Sequence, residues 1–271
     1  MAVKFDEIGY WSEIKLDIIK EYASAYSTIM NKKSFRYYYI DGFAGAGVHV
    51  SKSTGEFVPG SPTNAFNVKP PFSGYHFIDL DGDKVDLLKE ITSGSPNVDV
   101  YEGDCNRILL DKVLPAIQYK EYKRALCVLD PYGLHLDWDI ISMAGQSKAI
   151  EVFLNFPLMD MNMNVLWNNP EKVEEDQIAR MNIFWGDDTW RQVAYRKTPG
   201  LFDTIEEKTS NEAVAEAFRE RLNKIAGFAY VPQPIPMRNT KGGIVYYLFF
   251  ASPNKTGSKI VQHIFNKYKD R

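Results

Sequence analysis

An acidic residue and a glycine-rich turn follow the first strongly apolar run of the chain. The run covers residues 35–40, and Asp41 comes directly after it. The turn then contains Gly42, Gly45 and Gly47. Because glycine permits positive φ angles and has no Cβ atom, the backbone of such a turn can approach a ligand closely. A buried strand that leads into such a turn is the usual entry to a doubly wound α/β fold, where ligands lie at the carboxyl ends of the strands.

The spacing of these glycines argues against nicotinamide binding. The dinucleotide fingerprint G-x-G-x-x-G needs three glycines, and here only Gly45 and Gly47 form a G-x-G pair. The alternative of a glycine-rich turn that serves no cofactor stays open at this point.

Acids also end the second and third predicted strands. Asp79 lies where a nucleotide-binding fold has a carboxylate for the ribose hydroxyls, and Asp81 suits the N-cap of the next helix, although the two roles can be exchanged. Asp104 ends the third strand, where a carboxylate can accept a hydrogen bond from the exocyclic amine of adenine. The competing role is a helix N-cap, formed by Asp104 or Asn106.

The fourth and fifth predicted strands end in polar turns that suit substrate-facing chemistry. Asp130 follows the apolar run 125–129, and the next residue is a proline, which cannot continue a central strand. The turn therefore presents Asp130 and Tyr132 at the edge of the sheet. Asn155 and Phe156 begin a second turn at the same edge. We predict Asp130, Tyr132 and Asn155, in that order, as catalytic residues.

Composition limits the class of protein. The 271 residues suffice for a full hydrophobic core, and we expect one domain, residues 1–271. No run approaches the ~18 apolar residues of a membrane span, and no secretory leader is recognisable. Cys105 and Cys127 have no metal-ligand spacing, so we expect reduced thiols, no metal site and a cytoplasmic protein. The net charge of −3 gives no bulk attraction to nucleic acid.

Hydrophobic periodicity predicts the remaining organisation. An amphipathic helix over residues 10–30 precedes the first strand, and a polar loop over 51–60 is either a mobile lid or a surface insertion. After this loop, Ser61 is the predicted N-cap of a short helix whose first residue is Pro62. Helices inserted at about 158–226 either cover the core or contact substrate. The segment 228–251 predicts a closing hairpin, and the helix over 254–271 carries lysines that face solvent or contact phosphate. We expect a seven-stranded, mostly parallel sheet with an antiparallel last strand.

Four segments resemble the motifs of S-adenosylmethionine-dependent methyltransferases in their order and spacing. The glycine turn is close to the loop Asp-Pro-Phe-Ala-Gly-Ser-Gly of the amino-methyltransferases, and the other segments contain Asp79, Asp104 and Asp130. The resemblance implies a Rossmann-like class I methyltransferase fold with S-adenosylmethionine as cofactor, its methionine end at Asp41. The cofactor-binding residues that it implies are Asp41, Phe43, Gly45, Gly47, Asp79 and Asp104.

Nearly the whole chain also resembles the three-Cys-motif partner proteins, called TcmP. That family is named for its genomic association with a radical-SAM protein that carries three cysteines, so the resemblance implies such a protein as a partner. The similarity rests on the segments Trp11-Ser12-Glu13-Ile14-Lys15-Leu16, Tyr39-Ile40-Asp41-Gly42-Phe43-Ala44-Gly45, Gly60-Ser61-Pro62, Asp130-Pro131-Tyr132-Gly133-Leu134 and Asn155-Phe156-Pro157.

The amino-methyltransferase resemblance implies a way of holding the acceptor. In those enzymes an Asp or Asn before two prolines grips the target amine, and the following aromatic ring stacks on the base, which must leave a duplex first. Here the second proline is missing and Tyr132 lies one place nearer the acid. Either Phe156 supplies the stacking ring instead, or the acceptor is not an exocyclic amine.

Three functions follow as hypotheses. The leading one is methylation of nucleic acid at a base amine. The second is a partner subunit of a radical-SAM protein that retains the fold without turnover. The third is methylation of a small molecule or a protein.

Overall fold

A computed structural model describes residues 5–199, 204–239 and 241–269. Its strands, in chain order, are β1 (Glu7–Ile8), β2 (Arg36–Asp41), β3 (Val48–Ser51), β4 (Phe57–Pro59), β5 (Gly74–Asp79), β6 (Val98–Glu102), β7 (Lys123–Leu129), β8 (Ile150–Phe156), β9 (Tyr195–Pro199), β10 (Thr204–Lys208), β11 (Ile235–Arg238) and β12 (Ile244–Ala251). Its α-helices are α1 (Tyr10–Lys32), α2 (Ser61–Phe66), α3 (Gly82–Ile91), α4 (Cys105–Ile108), α5 (Leu114–Ala116), α6 (Trp138–Ser147), α7 (Leu158–Asn164), α8 (Glu175–Trp185), α9 (Trp190–Ala194), α10 (Asn211–Lys224) and α11 (Lys255–Tyr268). A π-helical turn, Leu109–Val113, joins α4 to α5.

The main sheet has seven strands in the order β6-β5-β2-β7-β8-β12-β11. The strands from β6 to β8 are parallel to their neighbours, whereas β12 is antiparallel to both β8 and β11. This is a Rossmann-like arrangement with the class I methyltransferase strand order, and it confirms the predicted fold class. Because the strand order reverses between β2 and β7, a crevice opens at their carboxyl ends, where ligands bind in such sheets.

Helices cover both faces of this sheet. One apolar cluster joins the sheet to α4, α5, α6, α8 and α10, and the other joins it to α1, α2, α3 and α11. The residues of β7 from Ala125 to Leu129 are all buried, because β7 lies at the centre of the parallel sheet and helices cover both of its faces. The two layers fix the strand ends that carry the predicted site residues.

The insertion between β8 and the last two strands contains a hairpin that the sequence did not predict. Helices α7 to α10 are present as expected, but β9 and β10 pair with each other as an antiparallel ribbon. Opposite charges face each other across it, with Lys197 opposite Glu206 and Arg196 opposite Glu207. A polar ribbon of this kind has no hydrophobic alternation, so its periodicity gave no strand signal.

The segment 51–60 is also more ordered than predicted. β3 and β4 form a hairpin, and β1 pairs with β3 in parallel to complete a three-stranded sheet. The pairing partner of β3 lies some 40 residues earlier, in a stretch of two residues, Glu7 and Ile8, too short to show a pattern. The expected loop is therefore the outer part of a small sheet beside the crevice.

The closing hairpin is confirmed, but β11 begins later than the sequence suggested. Pro232 and Pro234 precede it and cannot donate backbone hydrogen bonds to a ladder, so pairing starts at Ile235. α1 packs against α11, which accounts for the apolar stripe of α1. In the described part of the chain, every helix is too short or too polar to cross a bilayer.

Candidate functional site

The carboxyl ends of five parallel strands bring the predicted site residues to one crevice. Two cavities lie there, and both are lined by Phe43 and Tyr132. Cavity A, of about 430 Å³, is lined among others by Asp79, Leu80, Asp104, Asn106, His135 and Arg180. Cavity B, of about 340 Å³, is lined among others by Lys15, Gly45, His49, Asp130, Asn155 and Tyr246.

Backbone N–H groups of the glycine turn bind the turn to the end of β5. The Gly45 N–H donates to Asp79 Oδ2 at 2.7 Å, and the Ala44 N–H donates to the Ile78 carbonyl at 2.9 Å. Gly47 has a φ of +75°, and a Cβ atom there would lie 2.9 Å from Leu88 Cδ2. The turn therefore requires glycine at this position for both conformation and space.

Asp41 is completely buried beneath the turn. Its Oδ1 accepts a hydrogen bond from the Phe43 N–H at 3.2 Å, and its Oδ2 accepts one from the Ser61 hydroxyl. Burial raises the pKa of Asp41 to about 7, and the charges of Asp130 and Asp79 act in the same direction. Asp41 lines neither cavity, so it shapes the turn from below.

Ser61 corrects one local prediction. We expected its side chain to cap the short helix that starts at Pro62, but Gly60 is the N-cap of α2 and makes no side-chain hydrogen bond. The Ser61 hydroxyl instead donates to the buried carboxylate of Asp41, because that buried group needs a partner more than an exposed helix end does. Ser61 also lines cavity B.

Asp79 and Asp81 take distinct roles in the structure. Asp81 caps α3, since its Oδ1 accepts hydrogen bonds from the N–H groups of Asp83 and Lys84 at 3.1 and 3.4 Å. Asp79 lines cavity A, and it accepts from the Gly45 N–H and from the Asp81 N–H at 2.9 Å. The capping prediction for Asp81 is confirmed, while a ribose contact for Asp79 stays a prediction.

Asp104 takes one of the two roles that the sequence left open, the helix N-cap, while its contact with adenine stays a prediction. Its Oδ1 caps α4 by accepting from the Arg107 N–H at 2.9 Å, and the residue also lines cavity A. Asn106 then links this turn to the next one, since its side chain donates to the His135 carbonyl and accepts from the Asp137 N–H. The wall of cavity A is thus fixed by side-chain contacts to backbone groups.

Both carboxylate oxygens of Asp130 have partners. The Lys15 ammonium donates to Oδ2, and the Asn155 amide donates to Oδ1 at 2.7 Å. The structure therefore brings together two of the three predicted catalytic residues and adds Lys15, which we had not predicted. A signal was present, because Lys15 lies on the buried face of α1 between Ile14 and Ile18.

Lys15 is a buried cation. Its side chain is 10% exposed, against 34% for the side chain of Asp130. Burial alone would lower its pKa, but the charge and hydrogen bond of Asp130 outweigh burial and raise it, so the ammonium stays protonated. Its Nζ also lies 5.3 Å from the centre of the Tyr246 ring. Apart from Asp130, no hydrogen-bond acceptor contacts Nζ within the described residues.

Tyr132 lies at the mouth shared by the two cavities. It is 66% exposed, and its hydroxyl donates to Asp6 Oδ2 at 3.2 Å. The Lys84 ammonium donates to the same oxygen at 2.7 Å. Burial opposes a low pKa at Asp6, but the Lys84 contact prevails and lowers it. Residues from three distant parts of the chain thus meet across the opening.

Phe156 is excluded as a stacking ring. It is fully buried and packs against Phe184, Phe218 and Phe249 in the core. It belongs to the aromatic cover formed by the insertion, because its side chain points to the face that α8 and α10 pack on. Tyr132 is therefore the aromatic side chain next to Asp130 that is available to a ligand.

Two polar atoms of the lining of cavity B are buried without a partner. They are Asn155 Oδ1 and His49 Nδ1. A buried polar atom without a hydrogen bond costs about 1–3 kcal/mol, so each of these two atoms would gain from a hydrogen-bond partner. A ligand or a small movement of the site would supply one. Burial lowers the pKa of His49, and the nearby charge of Lys15 adds to this, so the imidazole is neutral.

The remaining reactive groups give no second site. Burial raises the pKa of both cysteine thiols, Cys105 and Cys127, so neither is a ready nucleophile. Across residues 5–199, 204–239 and 241–269, no group of three or more His, Cys, Asp or Glu side chains is arranged to hold a metal ion. The fold and the two cavities define a Rossmann-like α/β protein with a candidate ligand site at its strand ends.

Comparison with known proteins agrees with this fold. The chain is similar to a protein from Legionella pneumophila str. Philadelphia 1 of the family-model DUF519, with a TM-score of 0.57 and 13% identity over 93% of this chain and 91% of that chain. It is also similar to a candidate methyltransferase from Thermobifida fusca YX, with a TM-score of 0.42 and 13% identity over 89% and 81% of the two chains. A mutant of MtNAS in complex with S-adenosylmethionine gives a TM-score of 0.26 and 9% identity over 73% of each chain. No protein-family model and no curated protein matches the chain.

Proposed function

We propose that the chain, as one domain over residues 1–271, is an S-adenosylmethionine-dependent methyltransferase that acts on a base amine in nucleic acid. The observation that carries this proposal is the pair of adjoining cavities at the crevice of the sheet. Cavity A carries the carboxylates Asp79 and Asp104, and cavity B carries Asp130 beside Asn155. Phe43 and Tyr132 line both, so one extended ligand can occupy the two together. Because both cysteines are free thiols, we propose a cytoplasmic setting.

The residues of cavity A suit the adenosine part of the cofactor. A carboxylate offers about four acceptor positions, and Asp79 uses two of them for the N–H groups of Gly45 and Asp81. The remainder can accept from the ribose hydroxyls. Asp104 retains its second oxygen for the adenine amine. The bare backbone at Gly45, which lines the adjoining cavity B, permits close approach of the cofactor there, Gly47 allows the turn to pack, and Asp41 supports the turn from below.

The residues of cavity B suit the reaction centre. When bound, S-adenosylmethionine supplies an electrophilic methyl group, so the protein chiefly has to align a nucleophile with it. Asp130 and Asn155 offer oxygens to the hydrogens of an amine, and Tyr132 offers a ring at the mouth of the cavity. A base in a duplex would have to be flipped out to reach them.

Cofactor binding is the first test. Calorimetry with S-adenosylmethionine and S-adenosylhomocysteine should give saturable heat below about millimolar concentration. If neither ligand gives heat at that concentration, the methyltransferase proposal is wrong.

Methyl transfer is the second test. Labelled S-adenosylmethionine should pass its methyl group to single-stranded DNA or RNA, and Asp130→Ala should reduce the rate by about 100-fold or more, since positioning of the nucleophile is lost. Transfer to protein or small-molecule extracts but not to nucleic acid would leave the methyltransferase assignment standing and show that the acceptor class is wrong.

The occupied carboxylate of Asp130 favours a second candidate function. Because Lys15 holds one of its oxygens and Asn155 the other, an acceptor amine would have to compete with both contacts in this structure. We therefore propose, as the alternative, a partner subunit of a radical-SAM protein of the three-Cys-motif type. It predicts that the two proteins co-purify as a complex and that no labelled methyl reaches any acceptor. Turnover by the isolated chain would rule this alternative out.

A further inference from the structure

Lys15 presents an unexpected cation in cavity B. Of the described residues that line the cavity, Lys15 is the only lysine or arginine, and its ammonium is buried. An ammonium has three donors, and in this structure a single acceptor, Asp130 Oδ2, takes one of them. A buried cation with spare donors is a site for an anion.

The form of the two cavities limits which anion can reach it. If adenosine lies in cavity A, the other end of the cofactor extends past Phe43 and Tyr132 into cavity B, because these two residues line both. That end carries an α-carboxylate, the one anionic group of the molecule. Gly45 and Ser61 line the same cavity, and so do the acids Asp6, Glu7 and Asp130, so among its described lining residues Lys15 is the lysine or arginine that can pair with the carboxylate.

We propose that Lys15 binds the carboxylate of the cofactor and that it leaves Asp130 when it does so. Asp130 is then held by Asn155 alone, and its Oδ2 becomes available to the hydrogen of an acceptor. Lys15 is in these terms a positioning residue that makes the site competent for the acceptor only after the cofactor is bound. This role of Lys15 rests on the proposed function.

The charge balance of the pair predicts a distinctive result. In Asp130→Asn the Lys15 ammonium is buried without a carboxylate, and an unpaired buried charge gains most from a new partner. The removal of a predicted catalytic residue should therefore strengthen cofactor binding. A purely structural ion pair predicts the reverse, since its loss would loosen the cavity.

The experiment compares two ligands by calorimetry on the full chain. S-adenosylhomocysteine carries the carboxylate, and 5′-methylthioadenosine lacks the whole amino-acid end. Lys15→Met should weaken S-adenosylhomocysteine about 10- to 100-fold, as expected for a lost charge-assisted hydrogen bond, and should leave methylthioadenosine within about twofold. Asp130→Asn should tighten S-adenosylhomocysteine about 3- to 10-fold and leave methylthioadenosine unchanged.

Matched variants test whether a change in ligand affinity is specific to Lys15 and Asp130. Lys20→Met changes an exposed lysine of the same helix and should affect neither ligand. The double variant Lys15→Met with Asp130→Asn leaves neither charge of the pair, and it should bind S-adenosylhomocysteine no more weakly than Lys15→Met, which retains the unpaired Asp130 carboxylate. Thermal unfolding of each variant shows whether it is folded.

The outcomes separate this role from the function itself. Equal losses for the two ligands in Lys15→Met, or weaker binding of S-adenosylhomocysteine in Asp130→Asn, would overturn the role of Lys15 while the methyltransferase proposal survives. Failure of the parent chain to bind either ligand would overturn both.

Discussion

Cavities A and B differ in how their polar groups are held. In cavity A, main-chain N–H groups hold the carboxylates, with Gly45 on Asp79 and Arg107 on Asp104. In cavity B, the central contact joins two side chains, Lys15 and Asp130, that are 115 residues apart in sequence. The first arrangement joins a helix cap and the ends of two adjacent strands, whereas the second exists only after a helix from the start of the chain has packed against the sheet.

This difference separates a fixed region from an adjustable one. A group held by backbone amides cannot move without a change in its turn, so the carboxylates of Asp79 and Asp104 in cavity A are held in place. A side-chain ion pair can exchange partners when a ligand offers a better one. Cavity A is therefore suited to recognition and cavity B to a change of state on binding.

The largest expected effect concerns the buried carboxyl of Asp41. The charges of Asp79 in cavity A and Asp130 in cavity B both raise its pKa. Its pKa in the folded state is about 7, against an ordinary value of 3.8. The folded state thus favours the neutral carboxyl, so this group stabilises the protein most below about pH 4. That stability is lost as the pH rises through about 7, by up to ~4 kcal/mol.

Asp41→Asn should abolish this dependence, because an amide cannot ionise. Urea unfolding at about pH 5 and about pH 8 should show the parent losing more free energy of unfolding than the variant. Glu151→Gln is the matched control, since Glu151 is also buried with a pKa of about 7 but lies outside both cavities. Glu151→Gln should remove only the part of the pH dependence that Glu151 causes, and the part that Asp41 causes should remain. Identical slopes for the parent and Asp41→Asn would contradict the assignment.

The next effect tests how tightly the glycine turn between the two cavities is packed. Gly47→Ala forces a left-handed φ on alanine and brings its Cβ to 2.9 Å from Leu88 Cδ2. Strain and overpacking together should cost about 2–4 kcal/mol of unfolding free energy in urea. Gly55→Ala has a similar φ of +73° with nothing within 4 Å, and should cost only about 1–2 kcal/mol. Equal losses for the two variants would show that the turn is not tightly packed.

The smallest effect separates recognition from capping. Asp79→Asn removes a charged acceptor from cavity A and should weaken S-adenosylhomocysteine binding about 10-fold in calorimetry. Asp81→Asn retains a good N-cap residue outside the cavity and should change the affinity less than about twofold. If Asp81→Asn proves the more harmful change, the ribose role belongs to Asp81 and the two assignments must be exchanged.

The sheet and cavity A were predictable because their signals are local. Each predicted acid follows a strand, and the capping role of Asp81 depends only on the two residues after it. The class of fold followed from the order of these strand ends. Ser61 is the exception, because its hydroxyl donates to the buried carboxylate of Asp41 and not to a backbone group at the helix end. The sequence did not show that this carboxylate needs a further hydrogen-bond partner.

Cavity B was predicted only in part, for the opposite reason. Asp130 and Asn155 follow strands and were found, but Lys15 reaches them from a helix that periodicity explains by packing alone. The bond from Tyr132 to Asp6 spans 126 residues, and the partner of β3 is a two-residue strand. Contacts between residues so far apart in sequence depend on how the elements pack against the sheet, and local sequence patterns do not determine that packing.

The packing of α1 against α11 has a consequence for biosynthesis. Lys267 donates to Glu21 at 2.7 Å across 246 residues of sequence. During translation, the sheet strands and cavity A can form while α1 still lacks the helix that covers it. α1 carries Lys15, so the helix that holds the cation of cavity B is covered only after α11 has been synthesised. The packing around α1 is thus completed later than the strands that line cavity A.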